Sequence, residues 1–198
     1  MKIGILALQG AVEPHTLKLR ALGAEPVEVR TPPDLKGLFG IILPGGESTA
    51  MIHLLKLNQL WEPLAQFIQQ KPCWGVCAGA ILLARDVDHP KQASFSQLNL
   101  KAVRNAFGRQ LDSFIGELEA SDSWKREVSA EPFEGVFIRA PRFEELGKEL
   151  QVLASWKGEP VFVRSGFTLA SSFHPELSES NHVHNYFLSL CRSQNSNA

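Results

Sequence analysis

Cys77 stands at the centre of Gly75-Val76-Cys77-Ala78-Gly79, directly after the apolar run Pro72-Cys73-Trp74-Gly75-Val76. The apolar residues 78–84 that follow read as the start of a helix. A nucleophile held on a strand-to-helix turn needs small neighbours, because the turn is tight and its backbone strained. The helix N-terminus favours a thiolate, and the backbone N–H of Ala78, next in the chain, can bind a developing oxyanion. Acyl transfer is the chemistry this suits. A cysteine among apolar residues is also commonly a small buried hydrophobe, so the pentapeptide alone leaves both readings open.

Two further motifs weigh toward catalysis. Phe173-His174-Pro175-Glu176 follows the apolar run 167–173. In extended chain, residues two apart point to the same side, which brings His174 and Glu176 together. A thiol nucleophile needs a base, and the base needs a carboxylate to fix its tautomer and stabilise the imidazolium. Cys77, His174 and Glu176 supply those three roles. The third motif is Leu43-Pro44-Gly45-Gly46-Glu47-Ser48, after the apolar residues 40–43. Consecutive glycines at a strand end let backbone N–H groups approach an anion, so Gly46 is the candidate second oxyanion donor beside Ala78.

These motifs need a scaffold that presents strand ends on one edge. Residues 2–8 form a nearly continuous apolar run, as in a parallel strand buried on both faces. Pro14 suits the first turn of a helix reaching about Leu22, and Gly23 closes it. Strands are predicted over 26–30, 40–43 and 73–76, with helices over 48–57, about 60–70, and after Cys77. That alternation predicts an α/β fold: a doubly wound, mostly parallel, flavodoxin-like sheet with helices on both faces. Each of the three motifs then lies at the carboxyl end of a strand, the edge where open α/β sheets bind ligands. Residues 86–97 read as a polar, irregular loop. Short β-rich pieces at 98–103, 113–118, 135–138, 151–156, 160–163 and 167–173 predict antiparallel strands added to the sheet. A helix over 181–191 ends the domain, which spans 1–192, and a frayed tail covers 193–198.

Composition narrows the function classes. With 20 basic and 21 acidic residues there is no case for nucleic acid or an anionic membrane as the main partner. No apolar run approaches membrane-spanning length. Cys73, Cys77 and Cys191 form no metal-type pair, and an odd count argues against a disulfide framework. No metal and no cofactor are expected, and a reducing, cytoplasmic setting fits a catalytic thiol.

The motifs resemble class I (triad-type) glutamine amidotransferases, carried by Pro44-Gly45-Gly46, Gly75-Val76-Cys77-Ala78-Gly79 and His174-Pro175-Glu176. Longer strings narrow the resemblance to glutaminase subunits of pyridoxal 5′-phosphate synthase. They are Leu8-Gln9-Gly10-Ala11-Val12, Leu43-Pro44-Gly45-Gly46-Glu47-Ser48-Thr49, Arg104-Asn105-Ala106-Phe107-Gly108-Arg109-Gln110, Gly135-Val136-Phe137-Ile138-Arg139-Ala140-Pro141 and Ser172-Phe173-His174-Pro175-Glu176-Leu177. The resemblance implies that Cys77 attacks the side-chain amide of L-glutamine, with His174 as proton carrier, Glu176 orienting it, and Gly46 and Ala78 as the oxyanion hole. It assigns substrate contacts to Gly46, Glu47, Ser48, Arg104, Ile138 and Arg139. It also implies a partner, a (β/α)8 synthase subunit that receives the ammonia and builds pyridoxal 5′-phosphate from a pentose phosphate and a triose phosphate. Gln9, Gly10 and the adjoining helix would meet that partner.

The residues themselves leave the arginines open. Arg104, Arg109 and Arg139 sit among apolar residues, where a guanidinium needs an anion. The α-carboxylate of glutamine would serve, and so would Glu134, Glu144 or Asp112. His182 and His184, two apart on a helix, diverge and read as surface residues rather than metal ligands, and Cys73 reads as buried. Glu13-Pro14-His15 departs from the subgroup pattern, which has an acidic residue directly before the histidine, and residues 85–97 lack its usual glycine-leucine pattern. The alternatives are the glutaminase subunit of another small amidotransferase, such as that for imidazole glycerol phosphate, a peptide-directed cysteine hydrolase, and a non-catalytic regulatory subunit. The strings at 104–110 and 135–141 speak against the first.

Overall fold

In the computed structural model, which describes residues 1–104 and 113–196, the first half alternates strand and helix as the apolar pattern predicts. Its elements are β1 (Lys2–Leu6), α1 (Val12–Ala21), β2 (Glu25–Val29), β3 (Gly40–Leu43), α2 (Ser48–Leu57), α3 (Trp61–Gln70), β4 (Cys73–Val76) and α4 (Ala78–Leu83). The second half contributes β5 (Ala84–Asp88), β6 (Leu98–Val103), β7 (Ser113–Ala120), α5 (Asp122–Glu127) and β8 (Phe133–Ile138). It ends with β9 (Arg142–Glu144), β10 (Gln151–Trp156), β11 (Glu159–Ser165), β12 (Thr168–Ser171) and α6 (His182–Ser196).

Among the described residues, nine strands form one sheet in the order β2-β1-β3-β4-β12-β11-β10-β7-β8. The strands from β2 to β12 pair in parallel, and those from β12 to β8 antiparallel. The predicted α/β sheet with added antiparallel strands is therefore present, and the antiparallel strands make up half of its pairings. Alternation along a strand divides the core in two. Ile41 and Leu43 of β3 pack with Met51, Leu55, Leu64 and Ile68 of α2 and α3. Ile42, between them, packs on the other face with Leu19 of α1, Trp124 of α5 and Phe187 of α6.

The parallel edge delivers the motifs to one place. Ser171 of β12 stands opposite Val76 of β4, so the chain leaves these strands side by side. Cys77 emerges one residue later from β4, and His174 three residues later from β12. Gly45-Gly46 follows β3, the other neighbour of β4.

Two expectations are corrected and one element is added. Residues 86–97 are not wholly irregular: β5 runs to Asp88 and pairs with β6, which pairs in turn with β9. Only Val87 of its second half is buried, and the flanking charges meet one another, as in Lys101 with Asp88 and Glu145, so the strand is polar in sequence. Helix α5 was not foreseen; its signal was Ser121, whose hydroxyl caps the helix by accepting from the Trp124 N–H at 3.2 Å. Helix α6 continues through Ser196, into the stretch expected to fray.

Candidate active site

Cys77 occupies a left-handed backbone conformation, φ 48° and ψ −101°, which costs a non-glycine residue about 1–3 kcal/mol and is kept where surroundings over-determine it. They do so here. The Cys77 N–H donates to the Ser171 carbonyl at 2.8 Å and its own carbonyl accepts from the Ile81 N–H at 3.1 Å. A side chain at Gly79 would run into the Leu43 backbone, and one at Gly75 into the backbone of Gly79 and Ala80. Both glycines are thus required by close approach, and together they seat the turn between β3 and α4.

His174 is held by its backbone N–H, which donates to the Val136 carbonyl at 2.7 Å. Its Nδ1 lies 2.7 Å from Oε1 of Glu176, which sits buried in the 3-10 turn Pro175–Leu177. The pairing predicted from their two-residue spacing is present. Gly45 faces the imidazole so closely that a side chain there would overlap the ring. Burial works against an imidazolium at His174, but the neighbouring Cys77 and Glu176 side chains outweigh it and raise its pKa to about 10. Among the described residues, Nε2 of His174 has no hydrogen-bond partner. The Cys77 Sγ is directed instead at the Ile138 carbonyl, 3.8 Å away.

The glycine-rich loop is braced from both sides. Oε1 of Gln9 accepts from the Glu47 N–H at 2.7 Å. The Glu47 carboxylate caps α2, accepting from the N–H groups of Thr49 and Ala50. Burial opposes its charge, but those bonds and the Arg104 guanidinium hold its pKa below the usual value. Arg104 donates to Glu47 Oε1 at 3.0 Å and to Gln92 Oε1 at 3.1 Å. The same Gln92 oxygen accepts from the Ser48 hydroxyl at 2.9 Å. The guanidinium thus has its carboxylate within the protein, and that carboxylate is neither Glu134 nor Glu144.

A cavity of about 340 Å³ opens over these groups, at the lower end of the roughly 300–1,000 Å³ of small-molecule sites. Cys77, Ala78, His174 and Glu176 line one side, Gly46, Glu47, Ser48 and Arg104 another, and Ile138 and Arg139 a third. Every residue to which the resemblance assigns a catalytic or substrate contact therefore borders one space. Arg139 is exposed and also has a left-handed backbone, φ 44°. Residues 105–110, Arg109 among them, and Asp112 lie outside the described residues.

Other findings differ from the sequence reading. His184 is not a surface residue: it is fully buried, with Nε2 2.9 Å from Nδ1 of His15, also fully buried. Helix α6 turns this position inward against Trp74, which an i, i+2 spacing does not forbid. Gln92 was missed because nothing in a polar loop marks one glutamine. Cys73 is buried as expected. No group of three or more potential metal ligands occurs among the described residues.

Comparison with known proteins places the whole chain. The model of the SNO glutamine amidotransferase family matches residues 5–193. A protein of Koribacter versatilis named pyridoxal 5′-phosphate synthase subunit PdxT is 44% identical over 196 residues, covering 99% of this chain and 98% of that protein. Its namesake from Deinococcus radiodurans is 46% identical over 196 residues, covering 96% and 97%. A crystal structure of a glutamine amidotransferase superposes with a TM-score of 0.88 at 42% identity, covering 96% of this chain and 98% of the other. A more distant glutamine amidotransferase, from Thermotoga maritima, shares the fold at a TM-score of 0.61 and 15% identity, covering 98% and 85%.

Proposed function

The chain belongs to the SNO glutamine amidotransferase family, and on that premise we propose that Cys77, His174 and Glu176 carry its reaction. The chain hydrolyses L-glutamine to L-glutamate and ammonia, and it is the glutaminase subunit of a pyridoxal 5′-phosphate synthase, supplying ammonia to a synthase subunit. The observation that carries the site assignment is the buried His174–Glu176 contact of 2.7 Å beside a cysteine held on a left-handed turn in the same cavity.

In this reading Nε2 of His174 holds the proton that Cys77 gives up, and Glu176 at Nδ1 favours that imidazolium, orients it and offsets its charge. The sulfur attacks the side-chain carbonyl carbon of glutamine, and backbone N–H groups of Gly46 and Ala78 receive the oxyanion. His174 returns the proton to the amide nitrogen, the C–N bond breaks and ammonia leaves. Water, deprotonated by the same imidazole, then cleaves the thioester, releasing glutamate and restoring the thiol. Glu47, Ser48, Arg104, Ile138 and Arg139 hold the amino-acid end of the substrate. Arg104 reaches it as one corner of a Glu47–Gln92–Ser48 network, which fixes its direction.

The synthase partner is a (β/α)8 subunit in this reading, a view supported by the sequence resemblance, and it docks on the side of Gln9, Gly10 and α1. The chain acts as one domain over 1–192, since both cores share one sheet. A cytoplasmic setting agrees with three buried cysteines, and among the described residues no helix is long and apolar enough to cross a membrane. The test is glutamate release: Cys77→Ala abolishes it while glutamine binding persists. Substantial hydrolysis by that variant would place the nucleophile elsewhere.

A further inference from the structure

Behind Glu176 lies a pair of imidazoles that glutamine hydrolysis, as derived above, leaves unused. His15 of α1 and His184 of α6 come from opposite ends of the chain and are both fully buried. Their rings meet at 2.9 Å between Nδ1 of His15 and Nε2 of His184. Trp74 stands edge-on to both, with ring centroids 5.5 Å and 4.9 Å away. On its other side, Nε2 of His15 lies 3.7 Å from Oε2 of Glu176, both side chains being wholly shielded from solvent. Among the described residues neither atom has a hydrogen-bond partner. A buried carboxylate oxygen without a donor is costly, and the side-chain contact the structure gives it is this imidazole.

The proton positions follow from the contacts. One of the two facing nitrogens, His15 Nδ1 or His184 Nε2, must carry a hydrogen and the other a lone pair. With the proton on His15 Nδ1, its Nε2 lone pair would confront the Glu176 carboxylate. With the proton on His184 Nε2, His15 carries its own on Nε2 and presents an N–H to Oε2. The second arrangement satisfies both contacts. At 3.7 Å the N···O separation exceeds a hydrogen bond, and closing it takes a shift of about 0.8 Å. Such contacts commonly tighten as charge develops in an active site.

We propose that His15 is a positioning residue for this reaction: its Nε2–H, fixed by His184, holds the second oxygen of Glu176 and so aims the first at His174. The line of groups then runs from Cys77 through His174, Glu176 and His15 to His184. Both outer rings are neutral. Burial comes first in depressing each, reinforced at His15 by His184 and His174 and at His184 by Lys18, which brings His184 down to about 3. A neutral donor steadies the carboxylate without cancelling its charge, leaving that charge for the His174 imidazolium. Lys18 itself is occupied by the carbonyls of Ser178, Glu179 and Ser180, so it anchors the loop between the 3-10 turn and α6.

The inference rests on Cys77, His174 and Glu176 being the reacting triad, and the experiment separates the two. Glutamate release is measured with the synthase subunit present for wild type, Cys77→Ala, His15→Leu, His15→Gln and His184→Leu. The His174 imidazole is titrated by 15N NMR in each, and melting temperature is recorded. His15→Leu lowers kcat about tenfold, as expected for a lost hydrogen bond to a charged group, with the glutamine KM little changed and the His174 titration moved down. His15→Gln, whose amide N–H reaches toward Oε2, recovers most of both. His184→Leu, which frees the His15 tautomer, gives a smaller loss of the same kind and decides the matter should His15→Leu not fold. A folded variant at either position with wild-type kcat and an unmoved His174 titration overturns the inference, as does a kcat loss that follows melting temperature alone. A wild-type protein that releases no glutamate, or Cys77→Ala that still does, overturns the triad reading itself.

Discussion

Replacing Glu176 by glutamine removes one charge with almost no change of volume, so its effect on turnover measures what that charge does. The carboxylate oxygen is 2.7 Å from His174 Nδ1 and its side chain is wholly shielded from water, so solvent cannot replace it. A hydrogen bond to a charged group contributes about 1.5–3 kcal/mol net, or roughly 10- to 150-fold in rate at about 1.4 kcal/mol per factor of ten. A second loss adds to it. A glutamine amide that turns its NH₂ toward Nδ1 obliges the ring to keep its proton on Nε2, the nitrogen that must accept from Cys77. Together the two place kcat of Glu176→Gln about 10³-fold below wild type, within the loss of up to about 10⁴ known for a wrong-tautomer triad. The glutamine KM changes little, because the substitution lies behind the imidazole. Steady-state glutamate release, with melting curves as the check on folding, reads both quantities. A folded Glu176→Gln protein that keeps more than about a tenth of wild-type kcat would refute the role given to this carboxylate.

Two further outcomes follow from the same geometry. With Sγ turned to the Ile138 carbonyl and Nε2 of His174 left without a hydrogen-bond partner among the described residues, the isolated chain hydrolyses glutamine slowly, and adding the synthase subunit raises kcat about tenfold or more; equal turnover in both states would sink this expectation. Stability also falls in mild acid. His15 and His184 have folded-state pKa values below the ordinary 6.5, so below about pH 6.5 the unfolded chain binds more protons than the folded one. Each group then removes up to about 1.4 kcal/mol per pH unit. His174, raised to about 10, acts in a separate window: its contribution is complete below about pH 6.5 and is lost as pH rises through 10. Urea midpoints of wild type and His184→Gln from pH 7 to 4 test the acid limb, with the variant predicted to show the shallower fall and parallel curves contradicting it.

The parallel strands and the meeting of Cys77, His174 and Glu176 at one cavity were legible because their signals are local. A buried strand shows as an apolar run, and a nucleophile turn shows as glycines that backbone contact leaves no room to replace, as at Gly75 and Gly79. His174 and Glu176 meet through a spacing of two residues. What escaped the sequence depends on distant contacts. The His15–His184 pair joins positions 169 residues apart, and only the packing of α1 and α6 around Trp74 brings it into being. Gln92 reaches Ser48 and Arg104 from a loop whose composition says only that it is polar. The roles of Ile138 and Arg139 came from family resemblance; their chemistry as residues pointed nowhere, and the fold puts both at the cavity.

The most direct test of the central claim is to catch the acyl intermediate. The chain, turning over glutamine with its synthase subunit, is quenched in acid, digested, and its three cysteine sites examined by mass spectrometry. A glutamyl thioester on Cys77, absent from Cys73 and Cys191 and lost in Cys77→Ala, is the predicted result. Continued turnover with Cys77 unmodified throughout, or an adduct on another residue, would contradict the account.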